Sequence, residues 1–195
     1  MTAKDTGVVD RNRSCLVVID VQAYFLTKLP LHERGPLVER IGWLMNAARA
    51  LDIPIVATAE DIATNGTLVP DLATRLPEGA TIFDKMIFGL DRQDDIRAAV
   101  QATGRDTFVL TGMETDVCVA HSALGLAALG HRAVVIDDAC ASPPPNHDHG
   151  LRRLRDAGIA VTSTKGIYYE WVRDLATHRR VKALMNAPVP AGMTL

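Results

Sequence analysis

The sequence predicts an α/β domain: a three-layer sandwich in which a six-stranded, mainly parallel sheet lies between helices on both faces, as in Rossmann-like folds. Two observations predict this class. Short apolar runs alternate with helical patterns about six times, which is typical of parallel strands joined by helices. The chain has 195 residues, of which 48% are hydrophobic, enough for one full-sized core. No linker, repeat or low-complexity stretch divides residues 1–195, so we interpret them as a single domain.

The first half of the chain contains three predicted strands. Residues 15–20 (CLVVID) form a continuous apolar run, which is typical of a strand covered on both faces. A loop is predicted over 21–35, and Pro36 suits the first turn of the helix that follows. Two further apolar runs, 53–59 and 80–83, are the second and third predicted strands.

Three more strands are predicted in the second half, over 107–111, 133–137 and 159–163. Between the first two of them, a helix of small and apolar residues is predicted from about Thr115 to Leu129. Asn146 is a candidate cap for the helix that precedes the last strand, because its side chain can accept a hydrogen bond from a free backbone N–H.

Composition excludes several classes of function. The net charge is −2, which gives no electrostatic basis for binding nucleic acid or an anionic membrane. No apolar run reaches the roughly 18 residues of a membrane span. The first residues, MTAKDTGVVDRNRS, lack a signal-peptide core, and the three cysteines are few and far apart. We therefore expect a cytoplasmic protein whose partner is a small molecule.

Function in such sheets lies at the carboxyl ends of the strands. Acidic, basic and thiol groups follow the predicted strands here, at Asp20, Glu60–Asp61, Asp84–Lys85, 112–118 and Asp137–Asp138. These positions are the candidates for chemistry.

Three of these strand ends offer complementary groups. Asp20 could take a proton, Lys85 could stabilise an anion, and Cys118 at the start of a helix could be a nucleophile whose thiol ionises readily. Backbone N–H groups of residues 114–118 could bind the oxyanion of an attacked carbonyl. Spacing in the chain does not show that the three groups meet, since that depends on the strand order.

Three motifs resemble the isochorismatase-like cysteine hydrolases: DVQ at 20–22, a lysine followed closely by Phe-Gly at 85–89, and GMETDVCV at 112–119. That family includes nicotinamidases, N-carbamoylsarcosine amidohydrolases and ureidoacrylate amidohydrolases. The resemblance extends from about Cys15 to about Asp174 and implies a six-stranded parallel sheet.

The resemblance also implies residue roles. Asp20 would be the general base, Cys118 the nucleophile, and Lys85 the group that holds the thiolate and the charged intermediate. A cis peptide bond would fall at Met113–Glu114, and the N–H groups of Glu114 and Cys118 would form the oxyanion hole.

The chain departs from two branches of that family. Nicotinamidases carry an aspartate and several histidines as a metal site after the second strand, where this chain has TAEDIATNG and no histidine. Glu60 or Asp61 could supply one ligand but has no local partner, so we predict neither a metal nor another cofactor. Isochorismatases that cleave a vinyl ether typically lack the cysteine, so Cys118 favours amide-type hydrolysis.

Sequence position and resemblance together suggest an apolar pocket wall around the nucleophile. Such a wall favours a small, neutral or weakly polar substrate. The candidates are Phe25, Phe88, Val117, Tyr168 and Trp171.

Some residues of reactive type also have a structural explanation. His121 lies three residues after Cys118, so a Cys/His pair is conceivable, but we favour a packed, hydrogen-bonded histidine. His147 and His149 resemble a fragment of a metal site, but we predict that they are solvated. Cys118 itself could be a core residue, which becomes the weaker reading beside Asp20 and Lys85.

Three functions remain open. The first is a cofactor-free cysteine hydrolase that cleaves a small amide, carbamoyl or ureido compound through a thioester and releases ammonia. The second is a thiol hydrolase of a non-amide substrate such as an ester, and the third is a non-catalytic relative used for binding or assembly. Relatives are commonly dimers or larger, and the segment 171–185 is a candidate interface in a homodimer or larger homo-oligomer.

Overall fold

The computed structural model describes residues 7–195 and contains a six-stranded sheet in the order β3-β2-β1-β4-β5-β6, in which all five neighbouring pairs are parallel. The predicted fold class is therefore confirmed. The strands are β1 (Ser14–Ile19), β2 (Ile55–Glu60), β3 (Ile82–Lys85), β4 (Thr107–Met113), β5 (Arg132–Ala141) and β6 (Ala160–Thr162). Residues 1–6, part of the polar segment used to exclude a signal peptide, lie outside the described residues.

Helices connect the strands and cover both faces of the sheet. They are α1 (Ala23–Thr27), α2 (Leu31–Ala50), α3 (Ile62–Asn65), α4 (Pro70–Ala73), α5 (Asp94–Ala102), α6 (Ala120–Ala128), α7 (Asn146–Asp156), α8 (Thr164–Val172) and α9 (Leu175–Met185). A 3₁₀ turn (Arg11–Arg13) precedes β1, and a π-helical turn (Thr115–Val119) joins β4 to α6. Within residues 7–195, no helix is long and apolar enough to cross a membrane.

The apolar run of β1 is continuous because both faces of the sheet are covered. Leu16 and Val18 pack in one core cluster with α2, α8 and α9. Cys15, Val17 and Ile19 point to the other face and pack with α5, α6 and α7. The central strand is thus buried on both sides, as the sequence predicted.

From β1 the strands β2 and β3 are added on one side of the sheet, and β4, β5 and β6 on the other. This change of order between β1 and β4 opens a crevice at their carboxyl ends. Gly112 allows the two strands to approach there. Its φ is +120°, and a Cβ at this position would lie 2.0 Å from the carbonyl oxygen of Ile19. Asp20 leaves β1 with φ +51°, a left-handed conformation that aspartate tolerates better than most residues.

Two predicted boundaries were wrong on the first half of the chain. The segment 21–35 is not a loop, because α1 lies within it and α2 begins at Leu31. Pro36 therefore lies inside α2 instead of in its first turn. Its fixed φ is compatible with a helix, and the buried face of α2 outweighs the one hydrogen bond that proline omits.

Three further boundaries were wrong on the second half. β5 continues beyond 133–137 to Ala141, with an irregularity opposite β4, so Asp137 and Asp138 lie within the strand. The helix predicted from Thr115 begins as a π-helical turn and becomes α-helical only at Ala120. Asn146 is the first residue of α7 and does not cap it, since Pro145 occupies that position.

Candidate active site

The carboxyl ends of β1 and β3 and the π-helical turn bring Asp20, Lys85 and Cys118 together. The Nζ of Lys85 lies 2.9 Å from Oδ2 of Asp20 and donates to Sγ of Cys118 over 3.5 Å. All three side chains are buried. The strand order decides this meeting. β4, which leads to the turn with Cys118, pairs with β1, which ends at Asp20, and β3, which ends at Lys85, is separated from β1 only by β2.

A fourth group is Glu60 at the end of β2, which the sequence analysis named as a strand-end candidate but to which it gave no catalytic role. Its Oε2 accepts a hydrogen bond from Sγ of Cys118 at 3.1 Å and lies 3.5 Å from Nζ of Lys85. The signal in the sequence was its position directly after the apolar run 53–59, and the structure adds that this strand pairs with both β1 and β3. Its lack of neighbours along the chain was misleading, since its partners come from other strands.

Buried polar side chains fix the two carboxylates. Thr58 donates its hydroxyl to Oδ1 of Asp20 at 2.7 Å, so the oxygen that does not face Lys85 is also bonded. Gln22, the third residue of the DVQ motif, accepts from the backbone N–H of Glu60 at 2.7 Å and donates to its carbonyl at 2.9 Å. The motif therefore contributes Asp20 directly and orients Glu60 through Gln22.

The π-helical turn that carries Cys118 is held from several sides. Thr115 shares a hydrogen bond of 2.9 Å with Nδ1 of His147, and Ser142 donates to Asp116 at 2.6 Å. Gly150 of α7 packs so closely that a Cβ there would lie 2.8 Å from the backbone of Asp116. The prediction that His147 is solvated was therefore wrong, because it is partly buried against this turn.

The peptide bond between Met113 and Glu114 is cis, at the position that the resemblance indicated. The Glu114 carboxylate forms an ion pair of 3.0 Å with Lys28. The Lys28 ammonium in turn lies 4.4 Å from the ring centroid of Phe25. These contacts place α1 beside the backbone that precedes the nucleophile.

Burial and charge set the protonation of the site. Burial, and then the Asp20 carboxylate, raise the pKa of Cys118 above its ordinary value, against the Lys85 ammonium, which lowers it. Burial thus opposes the ready ionisation that the sequence predicted for a thiol at the start of a helix, and that ionisation stays a prediction. Burial also raises the pKa of Asp20, although Lys85 opposes it, which makes this carboxylate a stronger proton acceptor.

The Lys85 ammonium occupies the centre of the cluster. Burial lowers the pKa of Lys85, but Asp20, Cys118 and Glu60 raise it more, so its pKa lies above the ordinary value and the group stays charged. One ligand-type atom each of Asp20, Glu60 and Cys118 lies within 4.8 Å of the others. All three groups contact the Lys85 ammonium, so the positive charge next to these donor atoms comes from Lys85.

The five pocket candidates divide into two groups. Phe88 is half-exposed with its ring 5.9 Å from Nζ of Lys85, and Val117 precedes the nucleophile. Phe25 is buried in the same core cluster as Tyr168 and Trp171, but its ring lies beside the Lys28 ammonium that pairs with Glu114. Tyr168 and Trp171 were wrong as pocket residues: both are fully buried in the core cluster on the opposite face from Cys118.

Specific bonds explain why these two aromatic residues belong to the core. The indole of Trp171 donates to Ser14 at the amino end of β1, and the Tyr168 hydroxyl bonds to His178. The interpretation of His121 as a packed histidine was also wrong. It is exposed and contacts the Phe88 ring at 6.0 Å between centroids, without a hydrogen bond to Cys118 among the described residues.

A second cleft of about 360 Å³ lies beyond the π-helical turn, between the start of α2 and the end of β5. His32, Arg40 and Ser142 are among its lining residues, while none of the four clustered groups around Cys118 lines it. We therefore locate the chemistry at the Cys118 cluster, where nucleophile, acids and ammonium meet.

A sequence model of the Isochorismatase domain matches residues 14–166, which include all four clustered groups. The chain belongs to the isochorismatase family. It is 28% identical to the probable hydrolase YcaC of Escherichia coli strain K12 over 85% of this chain and 81% of that protein. Family membership makes it an isochorismatase-like hydrolase.

Solved structures of family members share the fold. YcaC from Pseudomonas aeruginosa, determined with hexane-2,5-diol and covalent acrylamide, superposes with a TM-score of 0.85 at 26% identity, over 97% of this chain and 95% of that one. The E. coli YcaC gene product, described as an octameric hydrolase of unknown specificity, has a TM-score of 0.80 at 24% identity, over 94% and 93% of the two chains.

Proposed function

We propose that this isochorismatase-family chain is a cysteine hydrolase that cleaves a small amide, carbamoyl or ureido compound through a thioester intermediate. The observation that carries the proposal is the contact of the Lys85 ammonium with both Asp20 and the thiol of Cys118. A nucleophile, a proton acceptor and a stabilising cation are the components that acyl transfer requires.

In the first half-reaction Asp20 takes the thiol proton as Sγ of Cys118 forms a bond to the substrate carbonyl carbon. The carbonyl oxygen becomes an oxyanion, which the backbone N–H groups of Glu114 and Cys118 bind. Asp20 then gives the proton to the leaving nitrogen, the C–N bond breaks, and ammonia departs from the thioester. The raised pKa of Asp20 suits a group that acts first as base and then as acid.

In the second half-reaction water attacks the thioester carbon, and Asp20 takes the water proton. The C–S bond breaks as the tetrahedral intermediate collapses. The proton returns to the departing sulfur, which regenerates the thiol. Lys85 compensates the negative charge in both half-reactions because it contacts the carboxylate and the sulfur together.

Two further observations support the proposal. The Pseudomonas YcaC relative was determined with covalent acrylamide, which nucleophiles attack at its C=C bond, and this supports the presence of a nucleophile in the family. Phe88 and Val117 add apolar side chains beside the cluster, which favour a weakly polar substrate.

We also propose that the protein is a homo-oligomer in a reducing compartment such as the cytoplasm. The support for an oligomer is the related E. coli YcaC gene product, which is described as octameric. Cys15, Cys118 and Cys140 are all free. Size-exclusion chromatography with multi-angle light scattering measures the oligomeric state of the purified chain, and a monomer would contradict the first part.

Ammonia release from a panel of small primary amides, carbamoyl and ureido compounds tests the activity. We expect Cys118→Ala and Asp20→Asn to lower kcat/KM at least about 10³-fold. His121→Ala, one turn further along the same helix, should change kcat less than about 3-fold because His121 has no bond to the thiol. Release of alcohol from esters without ammonia from any amide would instead identify an ester hydrolase.

A further inference from the structure

Glu60 contacts the nucleophile but takes no part in the proton transfers of the proposed reaction. Its carboxylate bonds to Sγ of Cys118 at 3.1 Å and faces Lys85 at 3.5 Å. Its side chain is 20% exposed, whereas those of Asp20 and Lys85 are fully buried. Of the two carboxylates, Glu60 is therefore the one that an entering substrate meets.

The position of Glu60 is fixed by the fold. Gln22 bonds to both its backbone N–H and its carbonyl, and Asn65 donates to the same carbonyl at 3.1 Å. The neighbouring acid, Asp61, turns away from the site and caps Thr64 of α3. The chain thus places one of two adjacent carboxylates against the thiol and the other on a helix end.

The charge of the cluster determines what happens to the bond between Glu60 and Cys118 when the thiol ionises. Two carboxylates surround one ammonium, so the cluster is already negative before the thiol ionises. In the free protein the S–H group of Cys118 donates to Glu60. Once Asp20 has removed that proton, Glu60 keeps its ion pair with Lys85 but has lost the S–H donor at 3.1 Å, and its carboxylate then faces a negative sulfur. Replacing the lost hydrogen bond is therefore favourable for this partly desolvated carboxylate.

A substrate nitrogen can replace the lost donor. The carbonyl oxygen of an attacked amide is directed to the N–H groups of Glu114 and Cys118, which leaves the nitrogen free to face the carboxylates. A primary amide carries two N–H donors, one of which can bond to Glu60. An ester has none at this position, and an anionic group there would be repelled.

We propose that Glu60 is a specificity-determining residue that accepts a hydrogen bond from the substrate nitrogen and so selects primary amide, carbamoyl or ureido groups over esters and anions. The inference rests on the proposed function, and it names the chemical group that the site recognises. The proposal also assigns a positioning role to Gln22, because Gln22 orients Glu60 through its backbone.

Matched alkylating reagents test this without any turnover. Iodoacetamide carries the N–H donors, ethyl iodoacetate lacks them, and iodoacetate is anionic. The rate at Cys118 is measured by mass spectrometry for each reagent and divided by the rate with glutathione. Removing Glu60 also changes the thiol pKa, but that change affects all three reagents equally, so the ratio between reagents reports recognition alone.

In the wild type we expect a preference for iodoacetamide over ethyl iodoacetate, and iodoacetate should be the slowest. Glu60→Gln and Glu60→Leu should lower the iodoacetamide preference about 10-fold or more, since a hydrogen bond to a charged group is lost. Asp61→Asn, which keeps a capping side chain on α3, should retain the wild-type ratio. Absence of label on buried Cys15 and Cys140 shows that each variant is folded.

Equal ratios in the wild type and both Glu60 variants would overturn the inference, as would an equal loss in Asp61→Asn. Turnover of a primary amide and of the methyl ester of the same acid provides the second measurement, in which the Glu60 variants should lose amide activity selectively. If the wild type cleaves no amide, the proposed function fails, while the alkylation ratios still decide the role of Glu60.

Discussion

Gln22 clamps the backbone of Glu60 through two hydrogen bonds, of 2.7 Å to its N–H and 2.9 Å to its carbonyl. The clamp joins the turn after β1 to the end of β2 beneath the thiol of Cys118. Gln22 is fully buried, so the bonds form away from competing water. The relationship links the DVQ motif to a residue 38 positions later in the chain.

Gln22→Leu should therefore affect both stability and the site. The change removes the side-chain acceptor of the Glu60 N–H and one donor each to the carbonyls of Glu60 and Gly66, and we expect a loss of about 2–3 kcal/mol in the free energy of unfolding. The preference of Cys118 for iodoacetamide should fall in parallel because Glu60 is no longer oriented. Urea unfolding and alkylation measure the two effects. Asn65→Ala, which removes a single part-buried bond to the same carbonyl, is the control and should cost less than about 1 kcal/mol.

The pH dependence of Cys118 alkylation should shift in opposite directions in two variants. Asp20→Asn removes a negative charge that raises the pKa of Cys118, so the thiolate should form at lower pH than in the wild type. Lys85→Met removes the positive charge that lowers this pKa, so the profile should move to higher pH. Iodoacetamide labelling between about pH 5 and 9 measures both shifts.

The wild-type rate should keep rising across that range without a plateau, because burial raises the pKa of the thiol. Cys15, whose pKa burial raises to about 12, is an internal control that should remain unlabelled. Shifts of the same sign in both variants would show that the two charges do not act on the sulfur as the structure indicates.

Gly112→Ala should be strongly destabilising. The new Cβ would lie 2.0 Å from the Ile19 carbonyl oxygen, on a backbone with φ +120°, so β1 and β4 would have to separate. We expect a loss of more than about 3 kcal/mol, or failure to fold. Gly130→Ala is the matched control, because φ there is +85° and nothing lies within 4 Å of the new Cβ.

The control loss at Gly130 should be about 1 kcal/mol, from the left-handed backbone alone. Chemical denaturation of the two variants side by side measures the difference. Similar losses at both positions would mean that backbone conformation, and not the close approach of the strands, explains Gly112.

Trp171 and Phe88 should behave as core and site residues respectively. Trp171→Phe removes the buried bond to Ser14 and should lower the free energy of unfolding by about 1–3 kcal/mol, without changing the alkylation rate of Cys118. Phe88→Ala should leave stability within about 0.5 kcal/mol, because this side chain is half-exposed. It should instead raise KM for a cleaved amide. If Trp171→Phe changed KM or the alkylation rate of Cys118 and left stability unchanged, Trp171 would be a pocket residue after all.

The sequence was sufficient where a local pattern carries the information. The apolar run of β1 and the alternation of strands with helices follow from burial on both faces and from backbone periodicity, both of which neighbouring residues report. Boundaries were less accurate where packing overrides propensity. Pro36 lies inside α2 because the helix buries a long apolar face, and β5 passes through Asp137 and Asp138 because pairing with β4 continues beyond them.

By itself, the sequence determined the α/β class, the central strand, and the presence of Asp20, Lys85 and Cys118 at strand ends, since each depends on residues close together in the chain. Only the tertiary structure decided which side chains meet. It placed Glu60 against the thiol, put Tyr168 and Trp171 on the opposite face, and raised the pKa of Cys118. The physical reason is that strand order, burial and electric field arise from segments far apart in the chain, and no local pattern records them.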